Sequence, residues 1–406
     1  MNNAICNRNI RILNIYTICI NALMLLPILL PYYRDYLALS FHEFLMIESV
    51  FAFMIVILDV PTGWLADNWG RKNTLILGAF TFALGIFMIA QASGFWTAAL
   101  AEVILGAGTS LMNGANSAML YDSLLLADRQ SEYRKREGFR FALQLYSCAA
   151  ASVVGGYLYT VSPTLPALLQ VGIILGAAIL GFWFIEPPRH KKTVEGHPVK
   201  DILRTIRYIT HGHKEIAGLV LLMMLIFSTT KICMWSIQIY LKELGVAESW
   251  NGWTISALML AGGLCGHLGH KIWPSLYGRH ALYALGSLLT LSLIGAGVGI
   301  SWLGLASLSI EAFVFGVGMP RAQEAINNLA ESGMRATILS SASLATSLGF
   351  IPMSQLIGWM TDHYGIGSGL LAHAGLIATL GLFAYWLVER NAKRGYAAAI
   401  STTTGT

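Results

Sequence analysis

The chain has 406 residues, of which 55% are hydrophobic and 12% are charged, and its mean hydropathy is +0.61. A composition this apolar excludes an ordinary soluble globular protein. The formal net charge of +5 does not indicate nucleic-acid binding, because the Lys and Arg residues are concentrated in polar segments between apolar runs. We therefore predict an integral membrane protein.

Apolar segments of about 20 residues, each long enough to cross a bilayer, recur from one end of the chain to the other. Lipid cannot satisfy exposed backbone amides, so these segments must be helical. They predict an all-α membrane protein with twelve transmembrane helices in two pseudo-symmetric six-helix halves. The predicted spans are about 10–34, 42–66, 74–92, 95–121, 138–160 and 163–186 in the first half, and about 216–242, 247–270, 281–300, 301–322, 337–360 and 366–390 in the second.

The polar segments predict the domain boundaries and the orientation. The halves are residues 1–186 and 215–390, a polar linker over 187–214 joins them, and 391–406 form a tail. Apolar residues recur at helical spacing in the linker, which predicts either an amphipathic helix on the membrane surface or an ordinary solvated linker. Nearly all Lys and Arg residues fall on the same side as the linker, so we expect the linker and both termini to be cytoplasmic.

The segment between the second and third spans carries the most specific motif of the chain. Gly63 and Gly70 are expected to permit close backbone approach there. Asp67 and Arg71 lie four residues apart and are expected to pair if a helix continues through them. The motif reads Asp59-x-Pro61-Thr62-Gly63-x-Leu65-x-Asp67-x-x-Gly70-Arg71-Lys72, and the fourth span ends in Gly114-x-x-x-Ala118-Met-Leu-Tyr-Asp122.

These motifs resemble those of the major facilitator superfamily of transporters, in particular its bacterial drug-efflux-like, proton-antiporter-like branch. The resemblance covers nearly the whole chain and implies the major facilitator fold. It also implies that Asp67, Arg71 and Asp122 cluster, near Thr337. Two features depart from that branch: Glu102 lies near where many drug antiporters carry an arginine, and Gly155-Gly156 replaces a Gly-Pro pair. The resemblance assigns a gating role to Asp59, Pro61, Gly63, Asp67, Gly70, Arg71, Lys72 and Asp122.

Ionisable groups inside predicted spans mark the candidate substrate and proton site. Each costs roughly 3 kcal/mol or more at mid-span, so a functional reason is expected. Glu102, Lys231 and Glu311 lie in the fourth, seventh and tenth spans, which the resemblance places around a central cavity. Alternatively, Lys231 and Glu311 only neutralise one another, and the polar residues of the fourth span only join helices. The predicted cavity set is Glu102, Glu311, Lys231, Asn113, Trp235 and Asn21.

Together these features predict a secondary active transporter that exports small amphipathic organic compounds in exchange for protons, by alternating access. The alternatives are a proton-coupled importer of a defined metabolite and a lipid-moving relative on the same fold. No phosphate-binding loop of the Gly-x-x-x-x-Gly-Lys type or hydrolase motif is found, so neither ATP-driven transport nor an enzyme is expected. We expect a monomer in the cell membrane that needs no cofactor or metal, and whose partners are its solute, protons and lipid.

Further residues receive structural interpretations. Glu48 is expected to meet Arg34 near the outer end of the second span. Aromatic residues near span ends often anchor the membrane interface, and this place is expected for Tyr32, Tyr33, Trp96, Trp250 and Trp302. His373 in the last span is expected to form a hydrogen-bonded helix contact.

Overall fold

The computed structural model describes residues 2–188, 213–272, 277–329 and 335–403, and within these ranges it contains helices and no β-strand. The predicted amphipathic helix of the linker lies outside the described residues, as do the side chains of Thr337 and the tail. The main helices are α1 (Asn2–Ile20), α2 (Phe41–Trp69), α3 (Arg71–Ala90), α4 (Phe95–Leu126), α5 (Tyr133–Val161), α6 (Leu165–Gly181), α7 (Lys214–Glu243), α8 (Trp250–Ile272), α9 (Gly278–Gly297), α10 (Trp302–Leu308), α11 (Ile310–Leu329) and α12 (Arg335–Thr403).

Within the described ranges, eight helical segments are long and apolar enough to cross a membrane, and the apolar helix α6 is shorter. The helices α10 and α11 together form one such segment, Trp302–Ile326. The helix α12 runs through both of the last two predicted spans and is kinked at Gly365, whose φ of 83° is in the region that favours glycine. The all-α class is therefore confirmed, and the number of twelve spans stays a prediction.

The first predicted span, about 10–34, is wrong in its extent. The helix α1 ends at Ile20, and short turns at Leu26–Ile28 and Tyr32–Tyr36 follow it before α2 begins. Pro27 and Pro31 lie in this stretch. Proline lacks a backbone N–H group and clashes with the preceding helical turn, so two prolines within five residues disfavour one continuous helix through this stretch.

The described residues divide into two compact units. The first comprises those within Met1–Thr193 together with Leu241–Gly263, and the second those within Val194–Tyr240 and Leu264–Thr406. The boundaries of the predicted halves come from the polar segments of the sequence and stay a prediction.

In the first unit, α8 packs very closely on α5 through small residues. A Cβ atom on Gly156 of α5 would lie 2.9 Å from the Ser249 carbonyl oxygen and 3.1 Å from the Gly252 Cα. A Cβ atom on Gly252 would in turn overlap the Ser152 carbonyl oxygen. Only residues without a side chain permit this approach, so the Gly155-Gly156 pair has a packing role.

Candidate functional site

The predicted charge cluster is present at the break between α2 and α3. Gly70 separates the two helices with φ 116° and ψ 147°. The Arg71 guanidinium forms an ion pair with Asp67 across this break, and its Nε lies 3.3 Å from Asp122 Oδ2 at the end of α4. The pair between Asp67 and Arg71 thus forms although no continuous helix runs through the two residues. The cluster joins the ends of three helices, and its gating role stays a prediction.

Glu186 supports this cluster and was missed in the sequence. Its carboxylate oxygens accept hydrogen bonds from the backbone N–H groups of Arg71 and Lys72, both at 2.9 Å. These groups have no partner within α3, and the positive end of the helix dipole favours an acid there. Lys72 Nζ also donates to the Phe182 carbonyl oxygen at 2.7 Å. The sequence feature that could have identified Glu186 is its position immediately before Pro187, at the end of the sixth predicted span.

The remaining motif residues lie inside α2. Asp59 accepts a hydrogen bond from Ser110 Oγ of α4 at 2.9 Å, so the acid of the lead-in also joins two helices. Pro61 lies within the helix and is exposed. The expectation of close backbone approach at Gly63 is wrong, because a Cβ atom there would meet nothing within 4 Å. Gly70 alone supplies the unusual dihedral angles.

Glu102 of α4 is buried, with 1% of its surface exposed, and the Tyr33 hydroxyl donates a hydrogen bond to its Oε1 at 3.2 Å. Glu48 of α2 is also buried and interacts electrostatically with the same tyrosine. The expected contact between Glu48 and Arg34 is wrong, because the Arg34 guanidinium binds other acids. Tyr32 and Tyr33 have no exposed surface, so their predicted place at the interface is also wrong. Their hydroxyls are satisfied inside the unit instead.

Asn113 and Asn21, the other predicted cavity residues of this unit, are separated from Glu102. Asn113 is exposed and lies eleven residues further along α4, about 16 Å away along the helix axis. Asn21 follows α1, and its Nδ2 donates to the Thr17 carbonyl oxygen at 2.8 Å. The structure therefore does not join these amides to the buried carboxyl group.

In the second unit, Lys231 and Glu311 do not neutralise one another. Lys231 Nζ lies 4.1 Å from the centroid of the Phe350 ring, a cation–π geometry. Glu311 is buried in the first turn of α11, and no ion pair between these two residues occurs in the described part of the chain. Trp235 lies one turn after Lys231 on α7 and is buried. His373 forms the expected helix contact, since its Nε2 lies 3.1 Å from Thr229 Oγ1.

A second charge cluster, which the sequence did not predict, lies near the start of α2. Arg34 Nη2 lies 2.8 Å from Glu248 Oε1 and 2.7 Å from Asp35 Oδ2. Lys242 Nζ lies 2.9 Å from Asp35 Oδ1. We call these four residues the Arg34 cluster. Because α2 has 29 residues, its length of about 43 Å separates this cluster from the one around Arg71.

Long apolar helices that bury acidic side chains are characteristic of multi-pass membrane transporters. Residues 12–275 match the family model described as Major Facilitator Superfamily. The chain belongs to this superfamily, and its resemblance to the superfamily is thereby confirmed. Membership makes it a multi-pass membrane protein of a transporter family.

Two curated relatives are similar to part of the chain. Over 186 residues it is 26% identical to the quinolone resistance protein NorA of Staphylococcus aureus, a match of 45% of this chain and 46% of NorA. Over 203 residues it is 26% identical to the vacuolar membrane amino acid uptake transporter fnx2 of Schizosaccharomyces pombe, covering 49% of this chain and 30% of that protein. The matched part of the chain thus spans half or less of the length of these relatives.

Solved structures show the same fold over nearly the entire chain. A mutant of the nucleoside transporter NupG matches with a TM-score of 0.78 at 13% identity, covering 93% of this chain and 98% of that one. A D-xylose–proton symporter matches with a TM-score of 0.72 at 14% identity, covering 94% and 96%. At these identities the likeness shows the fold alone, and it confirms the predicted fold class.

Proposed function

We propose that this protein is a secondary active transporter that exports small amphipathic organic compounds in exchange for protons, by alternating access. The name of NorA supports export of drug-like compounds, although the match covers 45% of this chain. The observation that carries the proton-coupled part is the burial of Glu102 against Tyr33. The proton gradient supplies the energy, no cofactor takes part, and one copy in the cell membrane suffices.

A buried carboxyl group is suited to carry a proton because its two charge states differ strongly in free energy. Removal from water penalises the ionised form, whereas a hydrogen bond from a neighbouring donor stabilises it. Glu102 has both features, since it is buried in α4 and accepts the Tyr33 hydroxyl. Opening the site to water on either side of the membrane would therefore change the proton affinity of this group.

Glu311 is the second candidate for the proton carrier. From the sequence, a pairing with Lys231 argued against it, because a nearby cation keeps a carboxylate ionised. The described residues include no such pair, so that objection no longer applies. Glu102 remains the first candidate for the proton carrier. Its hydrogen bond to Tyr33 would connect proton binding at the carboxyl group with movement of the chain.

The experiment that tests the proposal is flux in proteoliposomes with Glu102→Gln and Glu311→Gln. Loss of the carrier should abolish transport driven by a pH gradient and leave gradient-independent exchange of a lipophilic cation intact. Glu243→Gln is the control, because Glu243 is an exposed acid at the end of α7. Full gradient-driven transport by Glu102→Gln, with loss in Glu311→Gln, would assign the role to Glu311.

One observation favours a proton-coupled importer as the second candidate function. The Gly155-Gly156 pair that replaces the antiporter Gly-Pro pair is used for packing against Met24 and Gly252. Fold does not decide substrate or direction. Accumulation of a single polar solute, without protection of cells against lipophilic cations, would identify an importer.

A further inference from the structure

The turn Tyr32–Tyr36 presents its side chains to two different places. It has a π-type hydrogen bond, from the backbone N–H of Leu37 to the carbonyl oxygen of Tyr32 at 3.2 Å. Tyr32 and Tyr33 are fully buried, whereas Asp35 is at the surface. π-type turns are rare and occur frequently at functional sites.

The buried side of the turn contacts three helices of the first unit. Tyr32 donates to the carbonyl oxygen of Ile89 in α3 at 3.1 Å. Tyr33 donates to Glu102 in α4 at 3.2 Å, and its ring packs edge-on against Phe44 of α2 with 5.6 Å between centroids. The hydrogen bond with Glu102 depends on the charge of a side chain, and the buried acid Glu48 of α2 faces the same tyrosine.

The exposed side of the turn holds the segment Leu241–Gly263, which runs from the end of α7 into α8. Arg34 contacts Glu248 at 2.8 Å, and Asp35 contacts Lys242 at 2.9 Å. Both partners belong to Leu241–Gly263, which is part of the same unit. The segment continues into the glycine contact between Gly252 and α5. The Arg34 cluster is therefore one of the attachments that hold this segment in place.

Consecutive Cα atoms are 3.8 Å apart across a planar peptide, so Tyr33 cannot move far without displacing Arg34. A hydrogen bond to an ionised carboxylate is roughly twice as strong as one between neutral groups. Protonation of Glu102 would thus weaken the attachment of the buried side of the turn. We infer that Tyr33 is a positioning residue that couples the charge state of Glu102 to the integrity of the Arg34 cluster.

The inference deepens the proposed function and rests on it for the ionisation of Glu102, but its test needs no flux measurement. Two spin labels are attached to an otherwise Cys-less chain in nanodiscs, at Trp96→Cys in α4 and at Ala247→Cys in the segment. Double electron–electron resonance then measures the distance between the two labels. Both positions are exposed. The measured quantity is the ratio of long to short distances in the parent, Tyr33→Phe, Glu102→Gln and the double variant, at pH 8.

Tyr33→Phe should raise the ratio about tenfold, the effect of losing one charge-assisted hydrogen bond. Glu102→Gln keeps a neutral acceptor for the Tyr33 hydroxyl, so it should raise the ratio by a smaller factor. The double variant should add little to Tyr33→Phe alone. Tyr36→Phe is the matched control, because Tyr36 lies in the same turn with 53% of its surface exposed, and it should leave the ratio unchanged.

Two results would overturn the inference: an unchanged ratio in Tyr33→Phe, or effects of Tyr33→Phe and Glu102→Gln that multiply in the double variant. Either can occur while Glu102→Gln still abolishes gradient-driven flux, which would leave the proposed function standing. Conversely, normal flux in Glu102→Gln together with non-additive ratios would refute the proton carrier and retain the coupling. The two failures are therefore distinguishable.

Discussion

At the scale of single residues, Arg71 bridges two acids that belong to different helices. Asp67 is at the end of α2, and Asp122 is at the end of α4. Both pairs are partly exposed, and exposed ion pairs contribute little to stability, with a median of about 0–1 kcal/mol. The cluster is therefore better suited to favour one conformation than to hold the fold together.

Asp67→Asn should accordingly reduce transport about tenfold or more, while expression and substrate binding stay close to those of the parent. The amide preserves the shape but removes the charge that Arg71 binds. Initial rates in proteoliposomes and binding of a fluorescent substrate would measure the two effects. Asp128→Asn is a matched control, since Asp128 is an exposed acid with φ 57°, a conformation that asparagine also accepts. Equal losses in both variants would contradict a specific role for Asp67.

At the scale of elements, the close approach of α8 to α5 depends on the absence of side chains. Gly252→Ala would place a methyl group against the Ser152 carbonyl oxygen, so the two helices must separate. We expect the segment Leu241–Gly263 to open, which should raise the labelling rate of Ala247→Cys by an impermeant maleimide several-fold. Gly172→Ala in α6 is the control, because a Cβ there meets nothing within 4 Å. An unchanged rate in Gly252→Ala would show that the contact tolerates a side chain.

The Arg34 cluster should make the same segment sensitive to pH. Burial, the hydrogen bond to Asp35 and the charge of Asp35 raise the pKa of Glu248 to about 7, although Arg34 and Lys242 oppose the shift. Tyr159 also faces this group. Glu248 therefore holds a proton in the intact cluster at a pH where it would lose that proton in the opened cluster, because its ordinary pKa is near 4.5. The contribution of Glu248 to the stability of the cluster is therefore fully present below about pH 4.5 and is lost as pH rises through about 7.

The labelling rate of Ala247→Cys should therefore rise between pH 6 and pH 8 by more than the growing thiolate fraction alone explains. The labelling rate of the exposed Trp96→Cys over the same pH range measures the effect of the thiolate fraction. Glu248→Gln removes the titrating group and should abolish the excess acceleration. A persistent excess in this variant would assign the pH dependence to another group.

Some of this architecture follows from the sequence because local signals determine it. Hydropathy predicted the apolar helices, the four-residue spacing predicted the pair of Asp67 and Arg71, and the resemblance to the superfamily added Asp122 to this pair. The Arg34 cluster could not be predicted in this way, because Arg34 and Glu248 are 214 residues apart and tertiary packing alone joins them. The interfacial place predicted for Tyr32 and Tyr33 came from their position near a predicted span end. The first helix instead ends at Ile20, and the turns that follow bury both side chains.

At the scale of the whole molecule, the distribution of cations predicts how the chain is oriented in the membrane. The helix α4 has 32 residues, so its ends are about 48 Å apart, enough to reach both surfaces of a bilayer. The loop before it contains no Lys or Arg, whereas the loop after it leads into Arg129, Arg134 and Arg136. Cytoplasmic loops carry the excess of Lys and Arg. The end of α4 that carries Asp122 should therefore face the cytoplasm.

Single cysteines at Ser93 and Ser131 in a Cys-less background test this orientation, because both serines are exposed and flank α4. In intact cells, an impermeant maleimide should label Ser93→Cys, and Ser131→Cys only after the membrane is permeabilised. The same pair of readings determines the side of each charge cluster. The cluster around Arg71 lies at the Asp122 end of α4, and the length of α2 separates it from the Arg34 cluster. The reverse labelling pattern would place the Arg34 cluster in the cytoplasm, where its pH sensitivity would report the internal proton concentration instead of the external one.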